Sequence, residues 1–385
     1  MKKRNNISIL NYWWAANYGA NLTAYALNKL IPNSLLVDNT DFKQDLVENK
    51  YLFHKNFAKK YLKTINKSSI LQNTKACVYI TGSDQVFRPY LNQNISSDYF
   101  LDFANYHSKK IAFSASFGVD KERFIKENSE ETVLQMKNSL KSFDFISVRE
   151  KSGIEICRDI LGIEAEWIID PVFILEKSNY DKLTNNSTVD CSDKTVSYMM
   201  NSNIDNFNGE QTTELFASKY SVENWLNAIK TCKLFITNSF HGVCFAIIFN
   251  KPFICIVNSE TGGARYNSLF EMLGIENQCI NSIDEIYERD CVFKVDWNRV
   301  NRRIDEERQR GLEFLKKALD APCGKFEEKQ AVRTKYLEDR VSELECQANL
   351  KYQIKKELWN LWLVIFHKYL PEPVKNLIRK LRGKK

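Results

Sequence analysis

The stretch LFITNSFHGVCFAIIFNKPFICIV, Leu234 to Val257, decides the fold. Leu234-Phe235-Ile236-Thr237 is a short apolar run of strand-forming residues. Ser239 to Phe249 is long enough for a helix, opens on a serine and is stopped by Asn250-Lys251-Pro252. Phe253 to Val257 is apolar again and reads as a second strand. Two buried strands joined by an apolar helix form a parallel unit, and parallel sheets carry helices on both faces.

The alternation continues outward on both sides. Toward the N-terminus, Val196 to Met200 is a strand and Ser221 to Lys230 a helix with a Ser-x-x-Asn start. Before them come the strands Ile7 to Leu10, Cys77 to Ile80, Lys110 to Ser116, Phe145 to Val148 and Trp167 to Ile169, the last closed by Asp170-Pro171. Helices are expected at Ala20 to Leu30 and Glu122 to Ser142. Toward the C-terminus lie Tyr266 to Leu273, with Gly274 just past its end, and the longer Asp296 to Leu319. The expected architecture is α/β, with two Rossmann-like lobes of parallel sheet, 1–170 and 171–322. They meet near Asp170 around a cleft, and a helical basic amphipathic tail, 323–385, follows.

Composition excludes several classes. The chain has 385 residues, 44% hydrophobic and 27% charged, a globular balance with room for two domains. The formal net charge of +7 is concentrated at the end. Residues 351–385 hold ten Lys/Arg and two Glu, so the tail is +8 and the first 350 residues sum to −1. A neutral body argues against nucleic acid, which needs a cationic face on the fold itself. The ten cysteines are scattered, without a CxxC pair or Cys/His ligand spacing, and read as buried reduced thiols. No metal site is expected. The apolar run after Met1-Lys2-Lys3-Arg4 is too short for a signal peptide, and no run of about 20 apolar residues is present to span a bilayer.

In open α/β sheets ligands bind beyond the carboxyl ends of strands, so the strand-end motifs are the candidates. Asn17-Tyr18-Gly19-Ala20 offers a tight turn and a helix N-terminus to an anion, or is a plain turn. Gly82-Ser83-Asp84-Gln85 projects three polar side chains after a sharp turn. Asp84 suits a general base, and the other reading is a helix cap or Asx turn. Arg149, in Ser147-Val148-Arg149-Glu150, follows an apolar strand and suits a carboxylate or phosphate; the alternative is a surface Arg–Glu pair. In Thr237-Asn238-Ser239-Phe240-His241-Gly242 the helix start and an imidazole converge, which makes His241 the candidate acid/base. Ser239 and Gly242 belong to the same turn. Arg265, in a glycine-flanked loop, either approaches the same anion or is a solvent-exposed loop residue. No Walker lysine motif, GxGxxG, HExxH or paired-carboxylate spacing is present, so kinase, nicotinamide and zinc-hydrolase chemistry lose support.

The tail reads differently. Glu327 to Glu357 is a charged helix, solvated or forming a short coiled coil. Leu358 to Phe366 is rich in Trp and aliphatic residues. Val374, Leu377, Ile378 and Leu381 then fall at helical spacing among Lys375, Arg379, Lys380 and Arg382. That pairing suits an in-plane anchor at a membrane surface through 358–385, or packing on protein.

The ordered set Asn17 to Ala20, Gly82-Ser83-Asp84-Gln85-Val86-Phe87, Ser114 to Gly118, Ser147 to Ser152, Asp170-Pro171, Thr237 to Gly242 and Arg265 to Leu269 resembles the polysaccharide pyruvyl transferase family, over roughly residues 5 to 280. The resemblance implies a fold similar to GT-B glycosyltransferases, with an acceptor-side N-terminal lobe and a donor-side C-terminal lobe. It implies phosphoenolpyruvate as donor, no cofactor or metal, and a pyruvate ketal on a capsular, exopolysaccharide or wall sugar. The implied acceptor is galactose-type, and the basic tail, outside the resemblance, agrees with a lipid-linked acceptor at the cytoplasmic face of a bacterial membrane, with the protein peripheral there. It also implies donor-site roles for Arg149 and His241. Some members carry Arg-Leu-His where this chain has Ser239-Phe240-His241, which makes Arg265 the candidate replacement arginine. The stretch Val196 to Trp225 is short for the family. A nucleotide-sugar glycosyltransferase and a non-catalytic membrane scaffold are the competing readings.

Overall fold

Seven parallel strands form the first sheet: β1 (Asn6–Leu10), β2 (Ser34–Asp38), β3 (Thr64–Asn66), β4 (Cys77–Thr81), β5 (Lys109–Ala115), β6 (Phe145–Val148) and β7 (Glu166–Trp167), in the order β3-β2-β1-β4-β5-β6-β7. The structure is a computed structural model. It describes residues 6–13, 17–38, 52–66, 77–89, 96–200, 204–207, 210–216, 219–257, 263–275, 279–282, 285 and 295–369. The amphipathic segment around Val374 to Leu381 and the loop glycine Gly262 lie outside the described residues.

The second sheet has five parallel strands. These are β8 (Thr195–Tyr198), β11 (Thr213–Glu214), β12 (Leu234–Thr237), β13 (Phe253–Ile256) and β14 (Cys279–Ile280), in the order β11-β8-β12-β13-β14. A small antiparallel pair, β9 (Asn206–Phe207) and β10 (Glu210–Gln211), lies on the connection from β8 to the parallel edge strand β11. No helix occupies that connection among the described residues, which is where the sequence runs short.

Both sheets reverse strand order once, the first between β1 and β4 and the second between β8 and β12. These are the positions where an open α/β sheet leaves a crevice beyond its carboxyl ends. Helix Tyr18–Leu30, from the β1 crossover, packs on helices Val222–Thr231 and Phe240–Ile248 of the second sheet. The contact is aromatic: Tyr18 stacks on Trp225 with ring centroids 4.9 Å apart and 14° between planes, and Trp225 meets Phe245 edge-on. Buried rings add about 0.5–1.5 kcal/mol per pair beyond their area.

Helix Trp297–Asp320 follows the second sheet in sequence but packs on the first. Phe314 stacks on Phe113 of β5, and a Cβ on Gly311 would meet Ile174 Cδ1 at 2.4 Å, so a larger residue there would make Ile174 move. The Lys109 ammonium donates to the carbonyls of Ala318 and Leu319, closing the helix C-terminus. The chain divides into two compact units, Met1–Arg333 and Thr334–Lys385. Helix Phe326–Tyr369 supplies the described part of the second. No helix among the described residues is long and apolar enough to cross a membrane.

Two expectations need correction. The helix expected from Glu122 to Ser142 is two, Lys121–Glu127 and Glu130–Lys141, because Ser129 caps the second by accepting from the Thr132 N–H. The strand expected over Trp167 to Ile169 ends at Trp167, although the Ile168 N–H still donates to the Val148 carbonyl.

Candidate functional site

The strand ends of the two sheets bring six ionisable side chains, Asp84, Arg149, Glu150, Asp170, His241 and Arg265, into one cluster. Arg149, just past β6, is its centre, and its side chain is 1% exposed. One terminal nitrogen donates to Asp170 Oδ2 at 2.6 Å and reaches the Ser83 hydroxyl at 3.3 Å; the other donates to Asp84 Oδ1 at 3.3 Å. Burial works against the guanidinium's charge, but Asp170, Asp84 and Glu150 raise its pKa further. The reading of Arg149 and Glu150 as a surface pair does not hold, since both are buried.

Asp170 ties the cluster to the second sheet. Its Oδ1 caps the short helix Pro171–Ile174 by accepting from the Val172 N–H, and its Oδ2 also accepts from the Ser83 hydroxyl at 2.9 Å. His241 Nε2 stands 3.7 Å from the same oxygen. Burial alone would raise the Asp170 pKa, yet His241 and Arg149 hold it well below the usual carboxylate range.

His241 lies in the first turn of helix Phe240–Ile248, whose N-cap is Ser239, accepting from the Gly242 N–H. Across the crevice, the Thr23 hydroxyl meets His241 Nε2 at 3.0 Å and donates to the Gly19 carbonyl. A Cβ on Gly19 would fall 2.1 Å from His241 Nδ1, so glycine there makes room for the imidazole. Gly242 is a packing glycine: a Cβ would meet Thr237 Oγ1 at 2.8 Å and the Phe235 ring.

The loop after β4 is shaped for its task. Gly82 has φ +119° and faces the Phe113 carbonyl, where a Cβ would come within 2.3 Å. Asp84 has φ +71°, which aspartate tolerates better than most residues, and bridges to Ala115 at the end of β5. Asn11, at the end of β1, holds the loop through donations to the Gly82 and Ser83 carbonyls. Asp84 Oδ1 accepts from the Gln85 N–H and from Arg149.

Arg265 completes the site from helix Gly263–Leu273. Its guanidinium carbon lies 5.4 Å from the Phe240 ring centroid, and that of Arg149 lies 4.6 Å from the same centroid. Two guanidinium groups on one ring repel each other. Burial and Arg149 lower the Arg265 pKa, against the opposing pull of Asp84 and Glu150. Glu150 accepts the Phe117 and Gly118 N–H groups, and burial raises its pKa. Arg149 Nε and Glu150 Oε2 stand 3.9 Å apart as an ion pair, and neither they nor Arg265 Nε has a hydrogen-bond partner among the described residues.

Gly82, Ser83, Asp84, Arg149, Ser239, His241 and Arg265 thus converge, with Gly19 beside them. Others of the sequence candidates do not. Gln85 turns to Arg88, accepting at 2.9 Å, and packs on Gly118. Asn17 caps its helix through the Ala20 N–H. The Tyr18 hydroxyl lies within hydrogen-bond reach of the Phe216 and Tyr220 carbonyls, inside the aromatic contact. Sequence reasoning missed Asp170, Thr23, Asn11 and Glu150 as site residues. Only Asp170 carried a signal, as the polar residue closing a buried strand before proline. Among the described residues no group of His, Cys, Asp and Glu is arranged to hold a metal ion.

A family model described as polysaccharide pyruvyl transferase matches residues 17–260, more than half of the chain and every candidate except Arg265. No curated protein matches. An uncharacterised protein from Klebsiella pneumoniae is 12% identical over 72% of this chain and 94% of its own, with a TM-score of 0.41. A variant of the wall teichoic acid polymerase TagF is 12% identical over 89% of this chain and 90% of its own, with a TM-score of 0.41. The same polymerase soaked with CDPG gives 10% identity over 88% and 90%, with a TM-score of 0.37. With its strand-end motifs inside the matched range, the chain belongs to the polysaccharide pyruvyl transferase family.

Proposed function

We propose that the protein transfers the three-carbon unit of phosphoenolpyruvate to two hydroxyls of a sugar, forming a pyruvate ketal and releasing phosphate. The observation that supports this reading is the pair of guanidinium groups, Arg149 and Arg265, 4.6 and 5.4 Å from the Phe240 ring centroid, with no hydrogen bond on either Nε among the described residues. A small anion bearing both carboxylate and phosphate relieves the repulsion between them and fills the donors. Arg265 has no ion pair among the described residues and is the first contact. Arg149, held by Asp170 and Asp84, fixes the orientation.

His241 protonates the methylene carbon of the donor, leaving an oxocarbenium-like centre at the adjacent carbon. Asp84 Oδ2 takes the proton of the first attacking hydroxyl. Phosphate leaves with the second hydroxyl proton as that hydroxyl closes the ketal. Of the two hydroxyl protons, one restores the acid that protonated the methylene and the other departs on phosphate. The arginines stabilise the charge that collects on the leaving phosphate.

The acceptor side of this reading is the first sheet, where Asp84 lies, and the donor side is the second. The acceptor is a galactose-type sugar on a lipid carrier at the cytoplasmic face of a bacterial membrane. The basic segment 358–385 holds the enzyme on that surface, because clustered Lys/Arg beside Trp and aliphatic residues favours anionic lipid. No cofactor is required.

The test is phosphate release from phosphoenolpyruvate by purified protein, with galactosyl and N-acetylhexosaminyl acceptors, free and lipid-linked. Acceptor-dependent release that disappears in His241→Ala supports the proposal. Release that continues at the wild-type rate in His241→Ala removes the histidine from the reaction. Thermal stabilisation by a nucleotide sugar and not by phosphoenolpyruvate overturns the donor assignment.

A further inference from the structure

The second unit carries an exposed apolar seam with no role in the chemistry above. Helix Phe326–Tyr369 is 44 residues long, about 66 Å at 1.5 Å per residue. An isolated helix of such composition has little to hold it, since helices owe most of their stability to a packed face. From Thr334 onward the face is identifiable. Leu337, Val341 and Leu344 are 48%, 54% and 51% exposed, and they follow one another at spacings of four and three. With Thr334 before them and Ala348 after, they occupy a and d positions of a heptad, with Thr334, Val341 and Ala348 at a and Leu337 and Leu344 at d. In sequence the register runs on through Lys351 and Lys355 to Leu358, Trp362 and Ile365.

We infer that this seam is a parallel, in-register coiled coil with a second copy of the same chain. Three observations single out that occupant. A β-branched residue at a with leucine at d favours two parallel strands. The flanking charges are complementary only in that arrangement. Arg340 falls at g and Glu345 at the following e, so each Arg340 faces a Glu345 of the other copy. In an antiparallel pair Glu338 and Glu345, both at e, would face their own kind. Finally, a shallow depression on the helix is lined by Thr334, Leu337, Glu338, Val341, Ser342 and Glu345. The first four are the a, d, e, a set that receives a d-position knob from a parallel partner. Lysines at Lys351 and Lys355 weaken the middle of the seam and fix its register, as single polar core positions do. A parallel pair also sends both basic C-terminal segments out of the same end, so a surface that binds one binds the other at high local concentration.

The experiment is sedimentation velocity of the full-length protein at micromolar concentration. The expected species has twice the 45.0 kDa mass of the chain. Leu337→Asp combined with Leu344→Asp is expected to give the single-chain mass while the thermal transition of the α/β body stays in place. Arg340→Glu alone and Glu345→Arg alone are each expected to weaken the dimer about three- to tenfold at low salt, and the two together to restore it. Val341→Cys, at an a position, is expected to cross-link between copies on mild oxidation above the level seen with the native Cys346 alone. A wild-type protein of single-chain mass overturns the inference. A dimer that survives the double aspartate variant does too. A double charge reversal that fails to restore the dimer, or no gain in cross-linking at position 341, excludes the parallel register. A single-chain wild-type protein that binds anionic vesicles through Leu337 and Leu344 assigns the seam to lipid instead.

Discussion

Strand β6 has a buried charged cluster at each end, and the two are built on opposite principles. At its amino end Asp144 accepts from the Lys110 N–H, the Gly324 N–H and the Lys329 ammonium, the last at 2.6 Å. Lys329 is fully buried and spends its remaining donors on the Gly324 carbonyl and Cys323 Sγ. Every donor there meets an acceptor, so that cluster is a staple between the first sheet and the start of the last helix. At the carboxyl end, Arg149 is equally buried, but Arg149 Nε and Glu150 Oε2 face each other at 3.9 Å without a hydrogen bond, and Arg265 Nε has none among the described residues. Burial of charge alone does not distinguish a functional site from a structural one. The anion site proposed for the carboxyl end rests on its unfilled hydrogen-bonding capacity.

That contrast can be broken by substitution. The largest effect belongs to His241→Ala, expected to lower turnover about 10²- to 10⁴-fold, the usual share of a general acid or base. Its thermal transition should stay cooperative, lowered by the loss of the Thr23 and Asp170 contacts and of the buried ring, with the protein folded at the assay temperature. Lys329→Met should do the reverse. Removing one partner of a buried pair costs about 3–5 kcal/mol, read as the urea midpoint, while turnover below the melting temperature is retained. If Lys329→Met lost activity at temperatures where it stays folded, the two ends would not be separable in this way.

Lys110 sharpens the picture at the amino end through pH. Burial, only partly opposed by Asp102 and Asp144, pushes its pKa down from 10.5 to about 8. Between those values the unfolded chain binds more protons than the folded one, so stability rises with pH across that window. Lys110→Met is expected to flatten the rise in denaturation midpoint between about pH 8 and 9.5. An unchanged slope in Lys110→Met would assign it to other groups. The smallest effect is reserved for Thr23→Val, which removes the hydroxyl 3.0 Å from His241 Nε2. A loss of about fivefold in turnover is expected, from a hydrogen bond worth ~1 kcal/mol, with a displaced pH–rate profile and an unchanged Michaelis constant. A purely structural threonine would move stability and leave the profile where it was.

How far the sequence revealed this depends on the range of the interaction. Buried parallel strands read as short apolar runs, so β1, β4, β5, β6, β12 and β13 were legible within a residue or two. The edge of the first sheet was not. β3 is three residues, and helix Leu52–Tyr61 mixes lysines with its apolar side, so neither shows a clear period. At the site, Asp84, Arg149 and His241 could be picked out because each follows a strand end. Asp170 and Thr23 acquire their place only through contacts across the fold, such as the one joining residues 218 positions apart, and no local pattern encodes that. Gln85 shows the converse. It stands in the right motif, but its side chain turns away to Arg88.

The central claim is that the carboxyl-end cluster is an anion site for phosphoenolpyruvate, and isothermal titration calorimetry tests it most directly. Phosphoenolpyruvate titrated into the wild-type protein, Lys329→Met and Arg265→Ala should bind the first two alike. It should bind Arg265→Ala at least about 30-fold more weakly, the loss of one or two charge-assisted hydrogen bonds. Equal binding by Arg265→Ala and wild type would contradict the claim, as would binding lost in Lys329→Met while that variant remains folded.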